Sequence, residues 1–298
     1  MTGLLPGFTE HRIKVGGIEI HARTAGSGPP VLLLHGYPQS LWMWHWVGPA
    51  LADAHSVVLA DLRGYGSSGA PAPDRSGSVY SKRAMAADQA ALMTELGHDR
   101  FGVIGHDRGG RVAHRLALDH PDRVAALAVL DIVPTLHMFE NVDRAMATSY
   151  FHWFFLTQPD RLPERLIGAD PDAWLRSRFE GRHAGPFPFD PAAMAEYLRA
   201  FRNPAVIAAT CADYRAAATI DLDHDRESRA RQQTVIAPLL ALWGSRSYVG
   251  RNFDVMATWR HFAASVDGAA VEADHYLAEE APAATAGHLG RFFRGLAW

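Results

Sequence analysis

The run Gly105-His106-Asp107-Arg108-Gly109-Gly110 sets a carboxylate between two glycines, directly after the apolar stretch 101–104 and directly before the helical pattern 111–118. A sharp strand-to-helix turn of this kind displays its central side chain beyond the end of a strand, and the small neighbours let the helix pack closely. With serine at the centre such a turn does acyl transfer, but no Gly-x-Ser-x-Gly occurs anywhere in the chain. A carboxylate there attacks carbon by displacement and leaves an ester on the protein, a chemistry suited to carbon–halogen bonds or epoxides. The competing role for Asp107 is to cap the helix that follows, which aspartate does well.

Two cations flank this position. Arg108 and Arg111 fall in the first turn of the helix, where the backbone dipole is already positive and a basic residue is mildly unfavourable. Their better use is to grip a carboxylate on the substrate, since guanidinium presents paired donors in the right plane. An ester intermediate needs a base to activate water. Among 16 histidines, His275 is the best placed, after the last strand signal and before a closing helix at 282–293, in the chain order nucleophile, acid, histidine. The segment 245–249 after Trp243-Gly244 supplies no carboxylate, so the acid that orients His275 has to come from elsewhere.

These groups need a scaffold. Segments 12–15 and 18–22, separated by Gly16-Gly17, have the form of a hairpin. Short apolar runs then recur at 31–34, 57–60, 101–104, 125–130 and 238–243, with helix-length stretches such as 83–96 between several of them. Strands buried on both faces read as continuous apolar runs, so the expectation is an α/β fold with a mostly parallel sheet flanked by helices. The alternation stops after Pro134 and resumes near Val235. The intervening stretch is rich in aromatics and arginine and is interrupted by Pro159, Pro163, Pro171, Pro186, Pro188, Pro191 and Pro204, which suggests an inserted helical cap. The expected division is core 1–134, cap 135–232 and core 233–298.

A net charge of −3 gives no reason to expect nucleic acid or an anionic membrane as partner. No apolar run approaches about 18 residues, and the N-terminal region lacks a basic stretch leading into an apolar one. The single Cys211 excludes an intramolecular disulfide and any Cys-x-x-Cys metal site. The reading is a cytoplasmic protein without metal.

With these residues in view, the chain resembles the α/β-hydrolase superfamily and specifically the fluoroacetate (haloacetate) dehalogenases. The carriers are Leu34-His35-Gly36-Tyr37-Pro38-Gln39, Asp61-Leu62-Arg63-Gly64-Tyr65-Gly66, the elbow with its two arginines, Leu130-Asp131, His152-Trp153, Gly250-Arg251 and His275. The resemblance implies that Asp131 is the acid partner of His275, that His152, Trp153 and Tyr214 hold the departing halide, and that no cofactor is used. It also implies a homodimer. The backbone N–H groups of Tyr37 and Arg108 are expected to form an oxyanion hole for hydrolysis of the ester at Asp107. Relatives acting on uncharged haloalkanes carry tryptophan where Arg108 stands, which points to an acidic substrate. Asp274, beside the base where glycine is usual, is expected to favour protonated His275.

The reading is therefore hydrolytic dehalogenation of a small haloacid through an aspartyl ester. An epoxide hydrolase is the alternative, with Tyr150, Tyr197 or Tyr214 protonating the leaving oxygen. A ligand-binding protein on a retired hydrolase scaffold is the third.

Overall fold

The computed structural model describes residues 3–183 and 185–296. Its centre is an eight-stranded sheet in the order β1-β2-β4-β3-β5-β6-β7-β8. The strands are β1 (Thr9–Val15), β2 (Ile18–Ala25), β3 (Pro30–Leu34), β4 (Ser56–Ala60), β5 (Phe101–His106), β6 (Val124–Leu130), β7 (Leu239–Gly244) and β8 (Val266–Val271). Gly16 and Gly17 both take positive φ and turn β1 back on β2, with Val15 opposite Ile18. A side chain at either position would strain this turn. From β4 to β8 across the sheet all pairings are parallel. Every residue of the central strands β5 and β6 is buried, as continuous apolar runs require.

The core helices are α1 (Val47–Ala52), α2 (Lys82–Glu95) and α3 (Asp107–Asp119), and after the insertion α12 (Tyr248–Asn252), α13 (Val255–Arg260), α14 (Leu277–Glu280) and α15 (Pro282–Arg294). Between β6 and β7 the described residues form no strand. They form α4 (Thr135–Glu140), α5 (Arg144–Ser149), α6 (Phe151–Phe155), α7 (Leu162–Ala169), α8 (Pro171–Phe179), α9 (Pro191–Phe201), α10 (Pro204–Ala217) and α11 (Ile220–Ala230). Several prolines that read as interruptions in the sequence are helix starts instead. Pro171, Pro191 and Pro204 each open a helix, behind Asp170, Asp190 and Asn203, whose side chains accept backbone N–H bonds of the first turn. Proline loses nothing there, because the first N–H of a helix has no internal partner.

One strand escaped the sequence reading. β8 is an edge strand whose residues are mostly half-buried or exposed, so its sequence, Val-Asp-Gly-Ala-Ala-Val, lacks the apolar run that marks the others. No helix among the described residues is long and apolar enough to cross a membrane.

Candidate active site

Asp107 is the first residue of α3 and has φ of +45°. This left-handed conformation is strained for a non-glycine residue and is sustained by the surrounding contacts at the end of β5. The cap position belongs to His106, and no cap bond is made there. The carboxylate of Asp107 instead accepts a bond from the Tyr37 backbone N–H to Oδ2, at 3.1 Å. Gly36 makes this approach possible: a Cβ there would lie 2.7 Å from that of Asp107. Gly109 serves the other side, since a Cβ would come within 2.4 Å of the Leu34 and His35 carbonyls. The glycines of both motifs are thus required by backbone contact between β3 and the start of α3.

Asp131 follows β6 and also has positive φ, +52°. Its Oδ1 accepts the Gly244 N–H at 3.1 Å, and its Oδ2 lies 2.6 Å from Nδ1 of His275. His275 follows β8, and its carbonyl is bonded to the ring of buried His106 at 2.8 Å. The three candidate groups come from the carboxyl ends of three strands of one sheet, where ligands of open parallel sheets gather. Burial lowers the His275 pKa, but the bond to Asp131 and the charges of Asp131 and Asp107 outweigh it and raise the ring above its ordinary value. Arg182 opposes them. Asp274 is not among the largest influences on His275, but the two attract: burial pushes the Asp274 carboxyl up, His275 opposes this, and Glu280 and Asp131 add to it. Burial would also push Asp107 up, yet His275, His106, Arg108 and Arg111 hold it below the usual carboxylate range.

The two elbow arginines differ. Arg108 is completely buried, and its Nε and Nη2 are taken by the Asp213 carboxylate at 2.9 and 2.6 Å. Asp213 also accepts bonds from Lys82 and from the Tyr65 hydroxyl, the latter at 2.6 Å. Only Nη1 of Arg108 has no partner. Arg111 gives Nη1 to the Val133 carbonyl and Thr135 hydroxyl, both at 3.0 Å, and stacks 4.6 Å over Trp153. Its Nε is buried without a partner, and among the described residues no carboxylate pairs with it. Arg108 is therefore reduced to a single free donor, because the rest of its fork is spent on Asp213, whereas Arg111 keeps Nε and Nη2 unbonded and retains the paired donors expected from the sequence.

A small cavity, with room for about 10 Å³ of water centres, lies against Asp107, Asp131 and His275. The insertion covers it with Tyr150, His152, Trp153, Arg178 and Arg182, and Arg111, Tyr37 and Tyr276 complete the wall. The His152 ring stacks near Tyr37 at 6.2 Å and is kept neutral by burial and by surrounding arginines. The Tyr214 hydroxyl is buried without a partner, its ring in edge contact with His152 and Trp153. All three candidate halide donors therefore cluster above Arg108 and Arg111. The Tyr197 hydroxyl is bound to Glu279 at 3.0 Å, away from the cavity wall.

Sequence reasoning missed Arg178, Arg182, Asp213 and Lys82. Arg178 is buried, stacked between Phe151 and Trp174 at 4.7 and 4.6 Å, and none of the described carboxylates pairs with it. The only signal for it was the general arginine and aromatic richness of the insertion. Asp213 and Lys82 stand 131 residues apart and carry no local motif.

A profile of the α/β-hydrolase-fold family matches residues 29–282. The chain is 46% identical to a fluoroacetate dehalogenase from a Burkholderia species over 97% of this chain and 95% of that one. It is 35% identical to a soluble epoxide hydrolase from a Corynebacterium species, over 92% and 93% of the two chains. A crystal structure of an α/β hydrolase from Nostoc superposes with a TM-score of 0.94 at 51% identity, covering 96% of this chain and 98% of that chain.

Proposed function

For a chain that belongs to the α/β-hydrolase fold family and is fluoroacetate dehalogenase-like, we propose hydrolytic dehalogenation of a small haloacid, haloacetate to glycolate and halide, with Asp107 as nucleophile. The observation that carries the acid preference is the pairing of buried cations. A buried guanidinium is costly unless an anion accompanies it. Arg108 and Arg115 obey this rule through Asp213 and Asp225. Arg111 and Arg178, at 5% and 7% exposure, line the cavity with no carboxylate partner among the described residues. A substrate carboxylate supplies the missing anion. The free Nη1 of Arg108 and the Nε and Nη2 of Arg111 offer it donors.

In the first step an Asp107 oxygen attacks the carbon bearing halogen, the carbon–halogen bond breaks, and halide leaves with its electron pair. His152, Trp153 and Tyr214 donate to it in a space largely closed to water, which fluoride needs most because it is a poor leaving group. In the second step His275 takes a proton from water as the oxygen attacks the Asp107 carbonyl carbon. The Tyr37 N–H, already directed at Oδ2, steadies the developing oxyanion. Collapse breaks the ester bond, His275 returns the proton to the departing alkoxide, and the regenerated Asp107 carboxyl loses its own proton to solvent. The charges at Asp107 and His275 link the two steps. Ionised Asp107 is one of the groups that raise the His275 pKa, so esterification removes that support and frees the ring to act as base when one is needed.

Epoxide opening is the second reading, favoured by the unpartnered Tyr214 hydroxyl and by the epoxide hydrolase relative. Single-turnover reaction in labelled water tests the first reading. Label should enter the Asp107 carboxylate, and label appearing only in glycolate would contradict the covalent step. Parallel incubation with fluoroacetate, chloroacetate and styrene oxide separates halide release from diol formation.

A further inference from the structure

A second cavity adjoins the first. It has room for about 190 Å³ of water centres and shares Tyr150, Arg182 and His275 with the inner one. Its outer wall includes Arg251, which is exposed, and the half-buried Asp274. Arg182 stands where the two spaces meet, in the turn after α8. Its guanidinium is held by one bond from Nη2 to the Ser149 carbonyl, at 2.7 Å, and lies 5.0 Å over the Tyr150 ring. Neither Arg182 nor Arg251 pairs with a described carboxylate. Cations without ion-pair partners therefore run from the surface at Arg251, through Arg182, to Arg178 and Arg111 beside the nucleophile.

We propose that Arg182 is the gate of an anion path that admits small carboxylates to Asp107 and lets halide out. This inference rests on the haloacid reading above. The inner cavity is too tight for a haloacid to cross its walls freely, so some side chain has to swing aside. Arg182 is suited to that role, since among the described residues one hydrogen bond and one stacking contact hold its guanidinium, and neither is an ion pair. Aromatic walls at Tyr150 and Tyr248 flank the guanidiniums along the recess, and walls of low dielectric focus their field. Asp274 is the one acid lining this recess. Burial and its acidic neighbours favour its protonated form, so it weakens the positive potential less than a free aspartate would.

The test is the ionic-strength dependence of kcat/KM for chloroacetate in the wild type, R182Q, R182K and R251Q, together with stopped-flow bromide association followed by tryptophan fluorescence, with W153F as the control that removes the cavity signal. R182Q should lower kcat/KM about tenfold at low salt and flatten its salt dependence. R182K should restore most of both, and R251Q should act in the same direction more weakly. Bromide association should slow in parallel. A merely structural arginine would not move the salt slope, and R182Q with wild-type salt dependence and wild-type bromide association would overturn the proposal. So would a wild type whose tryptophans do not respond to bromide. Absence of halide release from every haloacid would defeat the haloacid reading instead, and bromide association would still decide on the gate.

Discussion

The two walls of the cavity are built by different means. On the sheet side, Asp107 and Asp131 sit at positive φ, fixed by backbone N–H bonds from Tyr37 and Gly244, and His275 is tied at both its ring and its carbonyl. On the insertion side, His152 Nδ1 and the Tyr214 hydroxyl have no partner, and Arg178 is held by stacking and by the neighbouring Ser177 hydroxyl. One wall holds its groups by backbone geometry, the other by side-chain packing. The lesson is a division of labour: rigid backbone turns fix the proposed nucleophile and base, and donors left unspent by packing remain free for the proposed substrate and leaving group.

The largest effect should come from breaking the sheet side. D107N should lower halide release by on the order of 10⁴ or more, since a neutral amide is a poor nucleophile. H275N should release one equivalent of halide per site and then stall, with a carboxymethyl ester on Asp107 visible by mass spectrometry. Multiple turnovers in H275N would show that another group activates the water.

Asp213 joins the two walls, because it lies on α10 of the insertion and neutralises Arg108 on α3. D213N should leave Arg108 buried without its paired anion and Lys82 with only Asp221, 3.7 Å away. The expected cost is about 3–5 kcal/mol in urea unfolding, and kcat/KM should fall about 10²-fold as Arg108 loses its orientation. An unfolding midpoint at the wild-type value would mean that the cluster is hydrated or already loose.

The insertion side should respond more selectively. Y214F should slow fluoroacetate turnover about tenfold, the worth of one hydrogen bond to a developing anion. It should change bromoacetate turnover less than about threefold, because bromide needs little assistance. Equal losses on the two substrates would place Tyr214 in general packing.

The smallest effect concerns the second junction of the two regions, where Glu279 of the core meets Gln39 and Tyr197. Burial pushes this carboxyl up to about 8 despite both hydrogen bonds. Between its ordinary range and that value the folded state holds a proton that the unfolded chain releases, so stability falls as pH rises through the window. Thermal unfolding from about pH 5 to about pH 8 should show this decline in the wild type, and E279Q should flatten it. An unaltered slope in E279Q would assign the decline to other groups.

Much of the core site was legible along the chain because its determinants are local. The glycines around Asp107 mark a turn whatever lies elsewhere, and Leu130-Asp131 ends an apolar strand. The edge strand β8 was not legible, since an edge needs no continuous apolar run. Asp213 was equally hidden: beside Tyr214 in an alanine-rich helix, nothing nearby distinguishes it from an ordinary helical aspartate. Arg178 and Arg182 gave only a compositional hint.

By itself the sequence determined the parallel α/β scaffold, the carboxylate at the elbow and the histidine ahead of the closing helix, because hydrophobic runs and glycine turns act over a few residues. Only the tertiary structure decided which donors remain free. Arg108 reads like Arg111 until Asp213, 105 residues away, occupies most of its fork. Whether a charge is spent or available depends on what folds against it, and that is a property of packing rather than of neighbours in the chain.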